Sequence, residues 1–164
     1  MENKFDNANW HFDDAYNGYC KRFDCEQDRE NSNHIEAGVV YAATHMGMYI
    51  AWIIKHNLEG SIHKKDSKED LDKVRNNQMT GVEFLLKNCD GKLWSDDFNQ
   101  EGLEFTRSYY EYYLRDYADL ILCEFDIEYS IYEVEDKWTN YESISIMLDT
   151  AYSDFKKGKV GCVR

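Results

Sequence analysis

The 164-residue sequence has no proline, 19 lysines and arginines against 32 aspartates and glutamates, and no uninterrupted apolar run near the ~20 residues that span a bilayer. Without proline, no helix is broken by a missing amide donor, so helices must end at glycine, asparagine and capping residues. The shortage of bases leaves a net charge of -13, a field that repels a phosphate backbone and argues against nucleic acid as a partner. The opening Met1-Glu2-Asn3-Lys4-Phe5-Asp6 lacks the basic start and apolar stretch of a secretion signal; with no membrane span expected, the expected location is the cytoplasm. Five scattered cysteines, Cys20, Cys25, Cys89, Cys123 and Cys162, form no disulfide framework and read as free thiols. No glycine-rich phosphate loop, GxSxG or HExxH motif is present, so the sequence gives no catalytic residue set and no cofactor site, and is read as that of a non-enzyme.

What is present is a 43% hydrophobic, 15% aromatic composition, enough to build one core in a chain of single-domain length. Apolar residues Ile35, Val39, Ala42, Ala43, Met46, Ile50, Ile53 and Ile54 recur at helical spacing over 34–57. Ser32 or Asn33 is the expected N-cap, and Leu58-Glu59-Gly60 the stop, with Gly60 left-handed. Shorter helices follow near 67–76 and after Thr80, whose spacing to Glu83 is that of a capping box, with a turn at Cys89-Asp90-Gly91-Lys92. Over 98–121 one aromatic helix has Leu103, Thr106, Tyr110, Tyr113, Leu114 and Tyr117 on one face, and Phe98, Phe105, Tyr109 and Tyr112 in a second row beside it. A last helix is expected from the capping pair Thr139 and Glu142 to Gly158. The expected architecture is mainly α: a single compact domain, 1–164, of about five helices. Short strands are expected near the N-terminus and around 123–134, an irregular segment over 1–33, and a frayed tail over 158–164.

The charge is uneven. Residues 34–94 balance 8 acids with 8 bases, whereas 95–136 hold 13 acids and 2 bases, a net -11, together with seven of the thirteen tyrosines. Carboxylates steer association with a cationic partner, and tyrosines bury area at modest entropic cost. The pattern therefore predicts a protein interface, with Asp116, Asp119, Glu124, Asp126 and Glu128 supplying charge and Tyr109, Tyr112 and Tyr113 as anchors. The competing reading is a metal-binding or hydrolytic protein using His11, Asp13 and His45. Against it, Cys20-x4-Cys25 lacks zinc-motif spacing, His45 has no nearby carboxylate in sequence, and neither Cys89 nor Cys123 shows a partner that would activate its thiol. A third reading is an acidic DNA mimic directed at a host defence protein.

Four blocks in order carry a resemblance. They are Phe5-Asp6-Asn7-Ala8-Asn9-Trp10-His11; Ala43-Thr44-His45-Met46-Gly47-Met48-Tyr49-Ile50-Ala51-Trp52; Cys89-Asp90-Gly91-Lys92-Leu93 with Asn99 to Phe105 and Tyr109-Tyr110; and Asp116-Tyr117 with Trp138-Thr139-Asn140-Tyr141. The chain resembles a bacterial family of uncharacterised proteins met in polymorphic-toxin loci, whose members are candidate immunity proteins, the Thr-His-x-Gly-Met-aromatic-x-x-Trp block being its most specific feature. It departs from that pattern in lacking prolines after Trp10-His11 and in the acidic, cysteine-bearing stretch from Cys20 to Glu30. The resemblance implies a cytoplasmic protein that binds and blocks a cognate toxin domain encoded beside it, a basic effector such as a nuclease, by stoichiometric occlusion. It also implies that His45 and Trp52 are core residues.

Overall fold

The computed structural model describes residues 4–159 and 161–163. Among these described residues, seven α-helices and one two-stranded sheet follow in the order β1 (Lys4–Asn7), α1 (Ala8–Arg22), α2 (Ser32–Lys55), α3 (Ser61–Asp66), α4 (Lys68–Arg75), α5 (Gly81–Asn88), β2 (Lys92–Trp94), a 3-10 turn (Ser95–Asp97), α6 (Gln100–Glu124) and α7 (Trp138–Lys156). The mainly α architecture is as expected, with α1 and α3 added to the anticipated helices.

Everything is built on α2. Each residue from Ala42 to Ile54 is buried, on all sides of the helix, because α1, α4, α5 and α7 pack around it. By length and composition α2 could cross a membrane, but 78% of its most apolar window is buried inside the domain, as befits a core helix. At the crossing with α5 the backbones meet at glycine: a Cβ on Gly81 would lie 1.8 Å from the Gly47 carbonyl oxygen. Any side chain there would force the two helices apart. The aromatic residues of α6 stack on the other side of α2, with the Tyr49 ring 4.9 Å from both Tyr110 and Tyr113, and Trp52 5.3 Å from Phe105. Helix α7 closes the core through Tyr152, which packs on Trp52 and Phe105, and Asp149, which accepts the Trp52 indole hydrogen bond at 2.8 Å.

Several local expectations are corrected. Of the segment expected to be irregular, residues 1–3 lie outside the described residues and 8–22 form α1, which buries Ala8, Ala15, Tyr16, Gly18 and Cys20 against the core, a helical period written mainly in small residues. It is capped by Asn7, whose side chain accepts the Asn9 amide. The N-cap of α2 is Asn31, and the left-handed residue after that helix is Asn57, φ +58, whereas Gly60 has φ -68. Gly60 is needed for space, since a Cβ there would meet the Asp96 carbonyl oxygen at 1.9 Å. No strand forms over 123–134: α6 runs on to Glu124 and the chain then loops to α7. The expected Thr139 and Glu142 capping pair is absent because α7 begins two residues earlier, at Trp138 with Lys137 as N-cap, leaving Thr139 inside the helix; Asn140 instead donates its side-chain amide to the Glu135 carbonyl. The capping box at Thr80 and Glu83 and the stop at Gly158, φ +75, form as expected. Of the tail expected to fray, residues 160 and 164 lie outside the described residues, while Val163 packs on the core and donates its amide to Asp116 at 2.9 Å.

Candidate functional site

Asp6 is the residue before the N-cap of α1, held by antiparallel pairing of β1 with β2. His11 lies one turn into α1 and so returns over Asp6; His45 comes from the middle of α2 and Tyr110 from the middle of α6. All converge on one carboxylate. Asp6 Oδ1 accepts the Asn7 amide at 2.7 Å and His11 Nε2 at 2.7 Å; Oδ2 accepts His45 Nε2 at 3.1 Å and the Tyr110 hydroxyl at 2.8 Å. His11 Nδ1 pairs at 2.7 Å with the hydroxyl of Tyr132, in the loop after α6, and its ring stands edge-on to His45 at 4.6 Å.

The electrostatics follow from the donor count. Burial works to raise the pKa of Asp6, but the His11 and His45 hydrogen bonds outweigh it and hold the carboxyl well below its usual range. Burial lowers the pKa of His45, against the opposing pull of Asp6, so His45 is a neutral imidazole with its proton on Nε2. Its Nδ1 is then a bare, buried lone pair with no hydrogen-bond partner in the structure. Asp6, His11 and His45 include donor atoms within 4.8 Å of one another, of types that hold metals. The carboxylate, however, already accepts hydrogen bonds from four protein donors. The cluster pins three distant parts of the chain together.

The structure separates the sequence-predicted residues. Asp13 does not join His11 and His45: it is exposed and paired with Arg29 at 2.7 Å, because its position on α1 faces away from the core. The metal or hydrolytic reading on His11, Asp13 and His45 loses a member, and Asp6 takes the place. Tyr109, Tyr113 and Asp116 are buried, and so unavailable to a partner of the folded chain: the Tyr113 hydroxyl donates to the His45 carbonyl at 2.6 Å, and Tyr109 donates to Asp116 at 2.6 Å. Tyr112 is half-buried against the core. Asp119, Glu124, Asp126 and Glu128 are exposed, at the end of α6 and in the loop that follows. Beside them stand the large apolar side chains of Leu122, 62% exposed, and Tyr129, 46% exposed. A groove of about 410 Å³, lined by Glu124, Ile146, Met147 and Val163 among others, opens where α6 ends against α7. Ile146, 67% exposed, forms its edge.

Asp6, Tyr110 and Tyr132 are not among the site residues expected from sequence. The only local signal is an acid five residues before His11. A family model described as "Domain of unknown function (DUF7832)" matches residues 4–134, a span that contains the whole Asp6 cluster and the acidic end of α6 and stops short of α7. No curated protein and no solved structure matches the chain.

Proposed function

We propose that this chain, which belongs to that family of unknown function, is an immunity-type protein: a rigid helical scaffold that neutralises a basic toxin domain by stoichiometric occlusion, in the cytoplasm of the producing cell. The observation that carries the reading is the surface at the end of α6. There Asp119, Glu124, Asp126 and Glu128 reach solvent around Leu122 and Tyr129, next to the groove edged by Ile146. Among the described residues no lysine or arginine pairs with the carboxylate of Asp119, Asp126 or Glu128; Arg22 donates to the Asp126 backbone carbonyl at 3.2 Å and is held by Glu133 at 3.0 Å. Exposed acids without cations steer a basic partner, and the Ile146, Met147 and Val163 side of the adjoining groove gives a long cationic side chain a place to lay its methylenes beside Glu124. This moves the interface from the helix face that carries Tyr109 and Tyr113 to the helix end. The partner's identity rests on the resemblance described above, and nucleic acid is disfavoured by the same charge.

Co-expression with the toxic domain encoded immediately upstream tests the reading. Restored growth and a one-to-one complex on a sizing column are expected; continued killing with no complex overturns it.

A further inference from the structure

Three residues that the Asp6 cluster does not use meet at a second place. His63 stands on α3, Cys89 is the C-cap of α5, and Asp97 ends the 3-10 turn; all three are buried. His63 Nε2 lies 2.9 Å from Asp97 Oδ1 and 3.8 Å from Cys89 Sγ. From sequence Cys89 had no evident partner; the fold brings His63 to it.

We infer that His63, Cys89 and Asp97 form a site for a zinc-class divalent cation, with three protein ligands and a fourth position open to the adjoining pocket. The argument is geometric first. Zinc bonds of about 2.0–2.3 Å to nitrogen, oxygen and sulfur, set tetrahedrally, place neighbouring ligand atoms about 3.3–3.6 Å apart. The observed separations of 2.9 and 3.8 Å bracket that spacing, and all three ligand atoms lie within 4.8 Å of one another. Thiolate, imidazole and carboxylate together select zinc or a similar borderline-soft ion over magnesium or calcium, which take oxygen alone.

The supports are those a metal ligand needs. Asp97 Oδ2 accepts the Trp94 amide at 2.6 Å, which aims Oδ1 at His63. The His63 ring is held edge-on to Phe84 at 5.2 Å, and the turn carrying Cys89 is fixed by left-handed Asp90 and Gly91. A pocket of about 380 Å³ is lined by the three residues together with Ile62, Leu86 and Trp94, so a water or small donor ligand reaches the fourth position.

The same residue types do not make an activated nucleophile. In a relay the base contacts the nucleophile through one ring nitrogen and its orienting acid through the other; here both meet His63 Nε2. Burial, then the Asp97 carboxylate, also pushes the Cys89 thiol up, so without a metal it stays protonated. Binding the cation exchanges that S–H for an S–metal bond and releases the proton to solvent.

The test uses the full chain, purified without a histidine tag and stripped with chelator, and Co²⁺ as the spectroscopic probe. One equivalent of Co²⁺ should bind with a thiolate-to-cobalt charge-transfer band, and Zn²⁺ should displace it and appear as a single bound ion in native mass spectrometry. Cys89→Ser should abolish the band and weaken Zn²⁺ binding at least about a hundredfold. Cys123→Ser and Cys162→Ser, both at exposed positions, should leave it unchanged. Less than about a tenth of an equivalent bound, no charge-transfer band, or a band that survives Cys89→Ser would overturn the assignment. The wild-type titration decides even if the Cys89 variant fails to fold.

Discussion

The acids of this chain fall into two populations, and Asp6 and Asp126 stand for them. Asp6 is 2% exposed and accepts four hydrogen bonds; Asp126 is exposed, with no cation paired to its carboxylate among the described residues. Glu59, Asp70, Asp97, Asp116 and Glu133 belong with Asp6, all buried. Three of those, Asp97, Asp116 and Glu133, lie within the stretch whose 13 acids look in sequence like one interface. Charge that holds the fold together and charge offered to a partner are therefore interleaved along the chain, and only burial sorts them.

The comparison breaks most sharply at Asp6. Asp6→Ala leaves the His11 and His45 ring nitrogens and the Tyr110 hydroxyl without their acceptor, two of these three residues being fully inside. Losing one side of such a buried network costs about 3–5 kcal/mol. Urea unfolding should show a midpoint shift of that size with little change in slope, and a loss under about 1 kcal/mol would mean that the cluster does not pin the fold. Acid should reproduce part of the effect. The folded-state pKa of His45 is lowered, so as pH falls below about 6.5 the unfolded chain takes a proton that the folded chain refuses, and stability drops. Asp6, also lowered, contributes fully above about 3.9 and loses its contribution as pH falls through its folded pKa.

Glu133 gives the next largest effect. Its Oε1 accepts the amides of Tyr129 and Ser130 at 2.5 Å each, and its Oε2 accepts Glu128 N at 3.2 Å and Arg22 at 3.0 Å. One buried carboxylate thus shapes the loop that presents Asp126 and Glu128. Glu133→Ala should cost about 2–3 kcal/mol and speed hydrogen exchange at the Tyr129 and Ser130 amides while α2 stays protected. Unchanged exchange at those amides would show that the loop holds its form without Glu133.

Asp136 lies between the two populations. Burial raises its pKa to about 6, Glu83 adds to that, and a 2.5 Å hydrogen bond from the Thr80 hydroxyl opposes it. The folded chain therefore holds a proton that the unfolded chain releases, so this group costs stability as pH rises from about 4 to 6, opposite in sign to His45. Asp136→Asn keeps an acceptor for Thr80 and removes the charge; it should stabilise the protein by on the order of 1 kcal/mol at pH 7 and by nothing near pH 4. A thermal-melt comparison at the two pH values reads the difference directly, and equal shifts at both would remove Asp136 as the cause.

Much of the frame was legible because it is written in period and caps. The apolar run of α2, the Thr80 and Glu83 box before α5 and the aromatic rows of α6 all signal locally. Helix α1 was hidden because its inner face uses Ala8, Ala15, Gly18 and Cys20, residues that register weakly as apolar, with Tyr16 as its one large buried side chain. The tyrosines misled for a physical reason. A phenol suits an interface or a core equally well, and what decides is a buried acceptor from a distant element: the His45 carbonyl for Tyr113, Asp6 for Tyr110, Thr106 for Tyr49. The same holds for both histidine clusters, whose members come from three or more elements and share no spacing that a linear reading can use.

The smallest effect on stability, and the one that isolates the exposed population, comes from reversing Asp126 and Glu128 together to lysine. Both side chains are at exposed positions, so folding stability should change by under about 0.5 kcal/mol. Association with the toxin domain should slow while dissociation stays nearly constant, because exposed charge acts on the encounter rather than on the packed contact. Raising salt should slow the wild type more than the variant, since the variant has lost attraction that ions screen within roughly 8–10 Å. If both proteins associate at the same rate at low salt, the acids at the end of α6 do not face the partner. The contact would then have to be sought on the charge-balanced side of the molecule, around α3 and α4.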